Sequence, residues 1–158
     1  MSDRPRALTA DQKLAVARDV AADLEKYGHI EKHEVDAHAA DIAKCGGAHM
    51  DGYQLAKELD NRCYWDYSFD MAEVLNGWSY AYDRALDSEQ KAWAEREGIS
   101  PTLTVGTRVK TARGECGEIS GVYEHGAAKY LVKIDGTTDT SRRVINFEDC
   151  APIVEPVS

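Results

Sequence analysis

The sequence predicts an α+β protein: an α-helical bundle of four to five helices over residues 1–100, followed by a small closed β-barrel over residues 103–158. Two observations carry this. From Leu14 to Trp93 apolar residues recur at steps of three and four, the period of amphipathic helices. From Leu103 the period drops to two, in short runs separated by glycine-bearing turns, as strands require. Gly98 and Pro101, which end helices, stand between the two regimes.

Thr9 and Gln12 have the form of a capping box, and Leu14, Ala17, Val20, Ala21 and Leu24 then line one face of a helix over 10–27, ended by Gly28. A second helix runs from Glu31 to Lys44 with Val35, Ala39 and Ile42 inward, and Gly46–Gly47 terminate it. Asp51 with Gln54 opens a third, whose apolar side is Leu55, Ala56 and Leu59. Asn61 to Tyr67 reads as a connection and Ser68 as the next cap. Met71, Leu75, Trp78, Tyr82 and Leu86 form one continuous stripe, and so belong to the core. Tyr80 falls about 200° around the helix from Trp78, on the wet face with Glu73, Asn76, Asp83 and Asp87. Asp87 and Gln90 either start a further helix through Trp93 to Glu97 or lie within a longer one. In the strand region LTVGTRVKT, GEISGVY, KYLVKID and SRRVINF are joined by ARGEC, EHGAA and GTTDT; APIVEPVS is a strand end and a tail. Closing these four or five strands into a barrel would remove exposed edges.

Within that region Gly106, Val109, Gly114, Gly117 and Ile119 stand as G-x-x-V, a loop, then G-x-x-G-x-I. This pattern resembles the KOW-type, SH3-like barrels. The resemblance implies glycines where an opening hairpin turns sharply, and binding of nucleic acid or protein through barrel loops. Here Glu115 and Glu118 occupy a hairpin that a nucleic-acid binder would make basic. The first 100 residues are similar only in style to phage and mobile-element proteins that block host machinery.

Composition narrows the function. The net charge is −9, and residues 1–102 hold most of it, with 12 Lys/Arg against 20 Asp/Glu, while residues 103–158 have 7 against 8. An acidic surface repels phosphate backbones and favours basic partners. No apolar run reaches the roughly 20 residues a spanning helix needs, and MSDRPRALTADQ has no signal-like apolar segment, so the expectation is a cytoplasmic protein with no membrane partner. Cys45, Cys63, Cys116 and Cys150 form no C-x-x-C pair, which fits free thiols in a reducing compartment; a Cys116–Cys150 bridge is the conceivable exception.

No nucleophile elbow, P-loop, dinucleotide fingerprint or H-E-x-x-H motif occurs, so no enzyme is predicted and no cofactor. An active site would need a convergence of His33, Asp36 and His38 that no motif announces. His29 with His33, and Cys45 with His49, are spaced four apart, but Gly46–Gly47 splits the second pair and no tight knuckle exists, so no metal is predicted. Nine of the 13 aromatics lie between Tyr53 and Trp93. Tyr64, Trp65 and Tyr67 crowd a connection beside Asp66 and Asp70, with Tyr80 and Asp83 on the wet face beyond. Rings of this kind bury large areas at small entropic cost, and neighbouring acids steer toward a basic surface. These seven residues are the predicted partner-binding set. The expected function is non-enzymatic protein binding, in the manner of an anti-CRISPR-like inhibitor. The alternative is nucleic-acid binding through Arg108, Lys110, Lys129, Lys133, Arg142 and Arg143 on the strands, with Tyr123 as a stacking ring.

Overall fold

The computed structural model describes residues 3–137 and 140–154, and the chain separates into two compact units. One is Pro5–Glu89; the other joins Met1–Arg4 to Gln90–Ser158. The tip of the GTTDT turn and the end of the predicted tail lie outside the described residues. The architecture is α+β: five α-helices, then a five-stranded antiparallel sheet.

In the helical unit α1 (Ala10–Lys26) opens on the predicted capping box, Thr9 accepting from the Gln12 backbone and Gln12 from that of Thr9. α2 (Val35–Cys45) begins four residues later than its apolar pattern suggests, because a 3₁₀ turn over Lys32–Glu34, boxed by Glu31 and Glu34, takes up the first turn. α3 (Gly52–Cys63) carries the Asp51–Gln54 capping box, and Ser68 caps α4 (Phe69–Leu75). The stripe expected to form one helix is broken at Asn76, after which α5 (Gly77–Arg96) starts and continues through Trp93, its residues from Gln90 on belonging to the second unit. The break is a tertiary effect. The Asn76 side-chain oxygen accepts from the backbone N–H of Gly52 at 2.7 Å, capping α3 from the end of α4. Most of the predicted core is buried, including Val20, Leu24, Ile42, Leu55, Leu59, Leu75, Trp78 and Tyr82; Leu14, Val35, Ala56, Met71 and Leu86 are only half-buried, and Val16, outside the predicted face, is buried as well. Trp78 donates its ring N–H to the Gly47 carbonyl at 3.0 Å, so even this fully buried ring leaves no orphan polar atom.

In the second unit β1 (Arg108–Thr111), β2 (Cys116–Val122), β3 (Lys129–Ile134), β4 (Arg143–Asn146) and β5 (Cys150–Pro152) lie in the order β4-β3-β2-β1-β5. The sheet is open, which differs from the expected closure: β4 and β5 are its edges and do not pair among the described residues. It is nevertheless curled. A flat sheet would hold the edges about 19 Å apart at ~4.8 Å per strand, whereas Asn146 ends β4 and Cys150 starts β5, a reach of at most about 14 Å. A register shift between Ile119 and Gly121 in β2 supplies a bend. Edge strands of four and three residues are too short to add a closing ladder. Val109, Ile119, Tyr130, Val132, Ile134, Ile145 and Cys150 fill the concave side. Gly106 and Gly114 of the hairpin pattern have positive φ, as expected. Gly117 is there for a different reason, since a Cβ on it would lie 2.5 Å from the Lys133 carbonyl oxygen.

The chain's start is part of this unit. Arg4 is buried; it donates to the carbonyls of Ala127 and Ala128, each at 2.8 Å, forks onto Glu148 at 2.5 and 3.1 Å, and lies 5.0 Å from the Trp93 ring centre. The conceivable Cys116–Cys150 bridge does not form. Cys116 stands opposite Lys110 and Cys150 opposite Thr111, on either side of β1. Two strand spacings, roughly 9–10 Å, exceed the reach of a disulfide.

Candidate functional site

The connection between α3 and α4 sorts its three rings rather than presenting them together. Tyr64 ends α3 in the left-handed region, with φ 60 and its N–H bonded back to Leu59. That reversal leaves Tyr64 89% exposed and throws Trp65 and Tyr67 inward against the core. Trp65 donates its ring N–H to Asp41 at 2.5 Å and lies against His38 with centroids 3.5 Å apart and the planes tilted by 35°. The Tyr67 hydroxyl meets His38 Nδ1 at 2.7 Å. His38 Nε2 faces the Glu34 carboxylate at 3.9 Å, which favours the proton on Nε2 and makes Nδ1 the acceptor of the Tyr67 hydroxyl. Burial pushes His38 below the ordinary imidazole value, against the opposing pull of Glu34 and Asp41. Burial pushes Tyr67 up, followed by the nearby Asp41 charge. Both groups are therefore neutral at pH 7, which lets the cluster pack.

Of the predicted partner set, Tyr64, Asp66, Asp70, Tyr80 and Asp83 are exposed; Trp65 and Tyr67 are half-buried and occupied internally, a correction to the outward role expected of Tyr67. Tyr80 is covered on one side by Arg84, 5.5 Å from its ring centre.

A second group of rings went unnoticed in the sequence. Tyr53, in the first turn of α3, and Phe69, the first residue of α4, are 45% and 67% exposed and meet with centroids 5.6 Å apart. The Tyr53 hydroxyl donates to Glu73, a bond that raises its pKa, and Asp51 adds to the shift. Exposed Asp70 follows Phe69 in the chain. The paired α3–α4 hairpin thus presents two touching rings among Asp51, Asp70 and Glu73. The signal was present: Tyr53 stands off the apolar side of Leu55, Ala56 and Leu59 in α3, and Phe69 off that of Met71 and Leu75 in α4.

The strand cations are divided. Arg108 forks onto Asp135 and Arg143 pairs with Glu115; Arg142 donates to its neighbours' carbonyls, at 2.6 Å to that of Thr140. Lys110 and Lys133 are exposed. The Arg108 bond lowers the Asp135 pKa and raises that of Arg108. Lys129 and Arg143 line an open recess of about 400 Å³ together with Arg113, but Glu115 and Asp149 line it as well.

His29 is half-buried, His33 and His49 are exposed and Cys45 is buried, and no cluster of three or more metal-ligating side chains occurs among the described residues. His33, Asp36 and His38 do not converge: His38 is inside, while Asp36 is exposed and 4.0 Å from Arg18. No described helix is long and apolar enough to cross a membrane. Comparison with family models, curated proteins and solved structures finds no match.

Proposed function

We propose that this chain is a non-enzymatic protein-binding module whose acidic, aromatic helical surface docks on a basic partner surface. The observation that carries this reading is the exposed Tyr53–Phe69 pair, set among Asp51, Asp70 and Glu73 on the α3–α4 hairpin. Two large, partly exposed rings packed on each other are what an interface core needs, and the carboxylates around them supply a polar rim and electrostatic steering. Tyr64 adds a third exposed ring. An inhibitor that occupies the basic nucleic-acid site of a host complex, in the anti-CRISPR manner, is the setting we infer, in a cytoplasmic protein.

The test is capture of basic proteins from a candidate host by the immobilised full chain, compared with Tyr53→Ala/Phe69→Ala. The double variant should lose a specific partner while its circular dichroism and melting are retained. Capture unchanged by the double substitution would remove this face from consideration.

One observation favours a second reading, nucleic-acid binding by the strand unit, which we take as SH3-like from its hairpin glycines and from β5 returning to pair with β1. The recess brings Lys129, Arg143 and Arg113 together. A gel shift at low salt that Lys129→Ala/Arg113→Ala abolishes would support it, and no shift at low salt would dismiss it.

A further inference from the structure

We propose that Cys45 and Cys63 are a redox pair, which a hydroperoxide converts into an intramolecular disulfide tying the last turn of α2 to the last turn of α3. The two sulfurs are 3.5 Å apart, already in contact. Each is the final residue of its helix, followed by Gly46–Gly47 in one case and by the left-handed Tyr64 in the other. A bond of about 2.05 Å then requires a further approach of roughly 1.5 Å, which rotation about χ1 at two helix ends can deliver with little movement of the core. Cys45 is buried, with its sulfur 3.9 Å from the Glu58 carbonyl oxygen; Cys63 is half-buried and gives a reagent access. The sequence suggested a conceivable bridge only in the strand unit; Cys45 and Cys63, 18 positions apart, are brought together by the packing of α2 on α3.

The chemistry balances with one peroxide. The Cys63 thiolate attacks a peroxide oxygen, the O–O bond breaks, and the departing oxygen leaves as water, with Cys63 now a sulfenic acid. The Cys45 sulfur attacks the Cys63 sulfur, the S–O bond breaks and a second water leaves. The two sulfurs together give up two electrons, and the two thiol protons end in the waters. Burial, followed by the hydrogen bond to Cys45, holds Cys63 above the ordinary thiol value; Asp41 adds to this and Lys44 opposes it. Little thiolate exists at neutral pH, so oxidation is slow there and speeds as pH rises. The consequence is mechanical and does not depend on the docking reading. The bond would fix the end of α3, directly ahead of Tyr64, and close a loop whose loss of unfolded-state entropy lowers the unfolding constant on the order of a hundredfold.

The experiment treats the full reduced chain with hydrogen peroxide, then measures intact mass, maps peptides without reduction and records the melting midpoint. The expected product is a monomer lighter by two hydrogens, with a Cys45–Cys63 linked peptide, a midpoint raised by roughly 5–10 °C and full reversal by dithiothreitol. Cys63→Ser and Cys45→Ala should each abolish the mass loss and the rise. A peptide linking any other cysteines, a sulfinic acid on Cys63 without a link, or four thiols still titratable after prolonged peroxide at pH 9 would each overturn the proposal.

Discussion

Replacing Arg4 by alanine tests whether the chain's start is an integral part of the strand unit. Its guanidinium is nearly inaccessible, with a side-chain exposure of 2%, and it satisfies three acceptors at once. The Ala127 carbonyl loses its bond in the variant. The Ala128 carbonyl keeps a second donor, the Phe147 N–H at 2.9 Å, and so suffers less. Glu148 is 37% exposed and regains water, which places the cost below that of breaking a fully buried pair. One charged hydrogen bond lost to a buried acceptor costs roughly 1.5–3 kcal/mol, and stacking on Trp93 adds about 0.5–1 kcal/mol. The sum is about 2–4 kcal/mol. Urea denaturation followed by Trp93 fluorescence, in a Trp65→Phe/Trp78→Phe background, reads this unit directly, since the other tryptophans belong to the helical unit. Arg4→Lys should recover less than half of the loss, because an ammonium cannot span the two carbonyls and the carboxylate together. In a double-mutant cycle, Arg4→Ala and Glu148→Ala should couple by about 1 kcal/mol. An Arg4→Ala midpoint within about 0.5 kcal/mol of wild type would show that the first residues are not seated on this unit.

The remaining predictions concern the helical unit. His38 is held below its ordinary pKa, so the unfolded chain takes up its proton first as pH falls. Its contribution is therefore full above about pH 6.5 and lost as pH drops toward the folded value, by at most ~1.4 kcal/mol per pH unit; His38→Asn, with an oxygen in place of Nδ1, should flatten the urea-midpoint profile between pH 7 and 5. Tyr64→Gly relieves a left-handed φ of 60 at a ring that is 89% exposed. It should raise stability by roughly 0.5–1 kcal/mol; a lower urea midpoint would mean that the ring packs. Gly52→Ala puts a Cβ 2.1 Å from the Ala72 carbonyl oxygen, a backbone atom that cannot swing aside. It should cost about 2–4 kcal/mol, measured by thermal melting.

What was legible in the sequence is what nearest neighbours decide. The caps at Thr9, Asp51 and Ser68 are local hydrogen bonds between residues three apart, and each is found where the pattern puts it. Of the predicted stripe, Leu75, Trp78 and Tyr82 are buried, while its ends, Met71 and Leu86, are half-buried. Contacts between distant residues were not legible. The Asn76 break depends on Gly52, 24 positions away, and Arg4 finds its partners more than 120 positions on. The open sheet follows from edge strands whose brevity is set by the 3₁₀ turn Phe147–Asp149, a detail beneath the resolution of alternating hydrophobicity.

The aromatic cluster shows how a single backbone conformation divides packing from exposure. Between Cys63 and Ser68 the chain carries three rings, and all would stay wet in an extended connection. The reversal at Tyr64 instead satisfies the end of α3 and aims Trp65 and Tyr67 at α2, where Asp41 and His38 accept their N–H and O–H. Those two rings neutralise buried polarity that the helices could not have hidden otherwise, since each supplies an N–H or O–H along with its apolar area. Their removal from the surface shifts the docking face. The more exposed rings, Tyr53 and Phe69, stand at helix starts, at the positive ends of α3 and α4. Asp51, the cap of α3, and Asp70, in the first turn of α4, answer that partial positive charge from within the protein. The same carboxylates then give the face its negative sign toward a partner, so helix stability and the steering of a basic ligand draw on one set of residues. Changing Asp51 to asparagine separates the two roles: the cap is retained, and only association with a basic partner should slow.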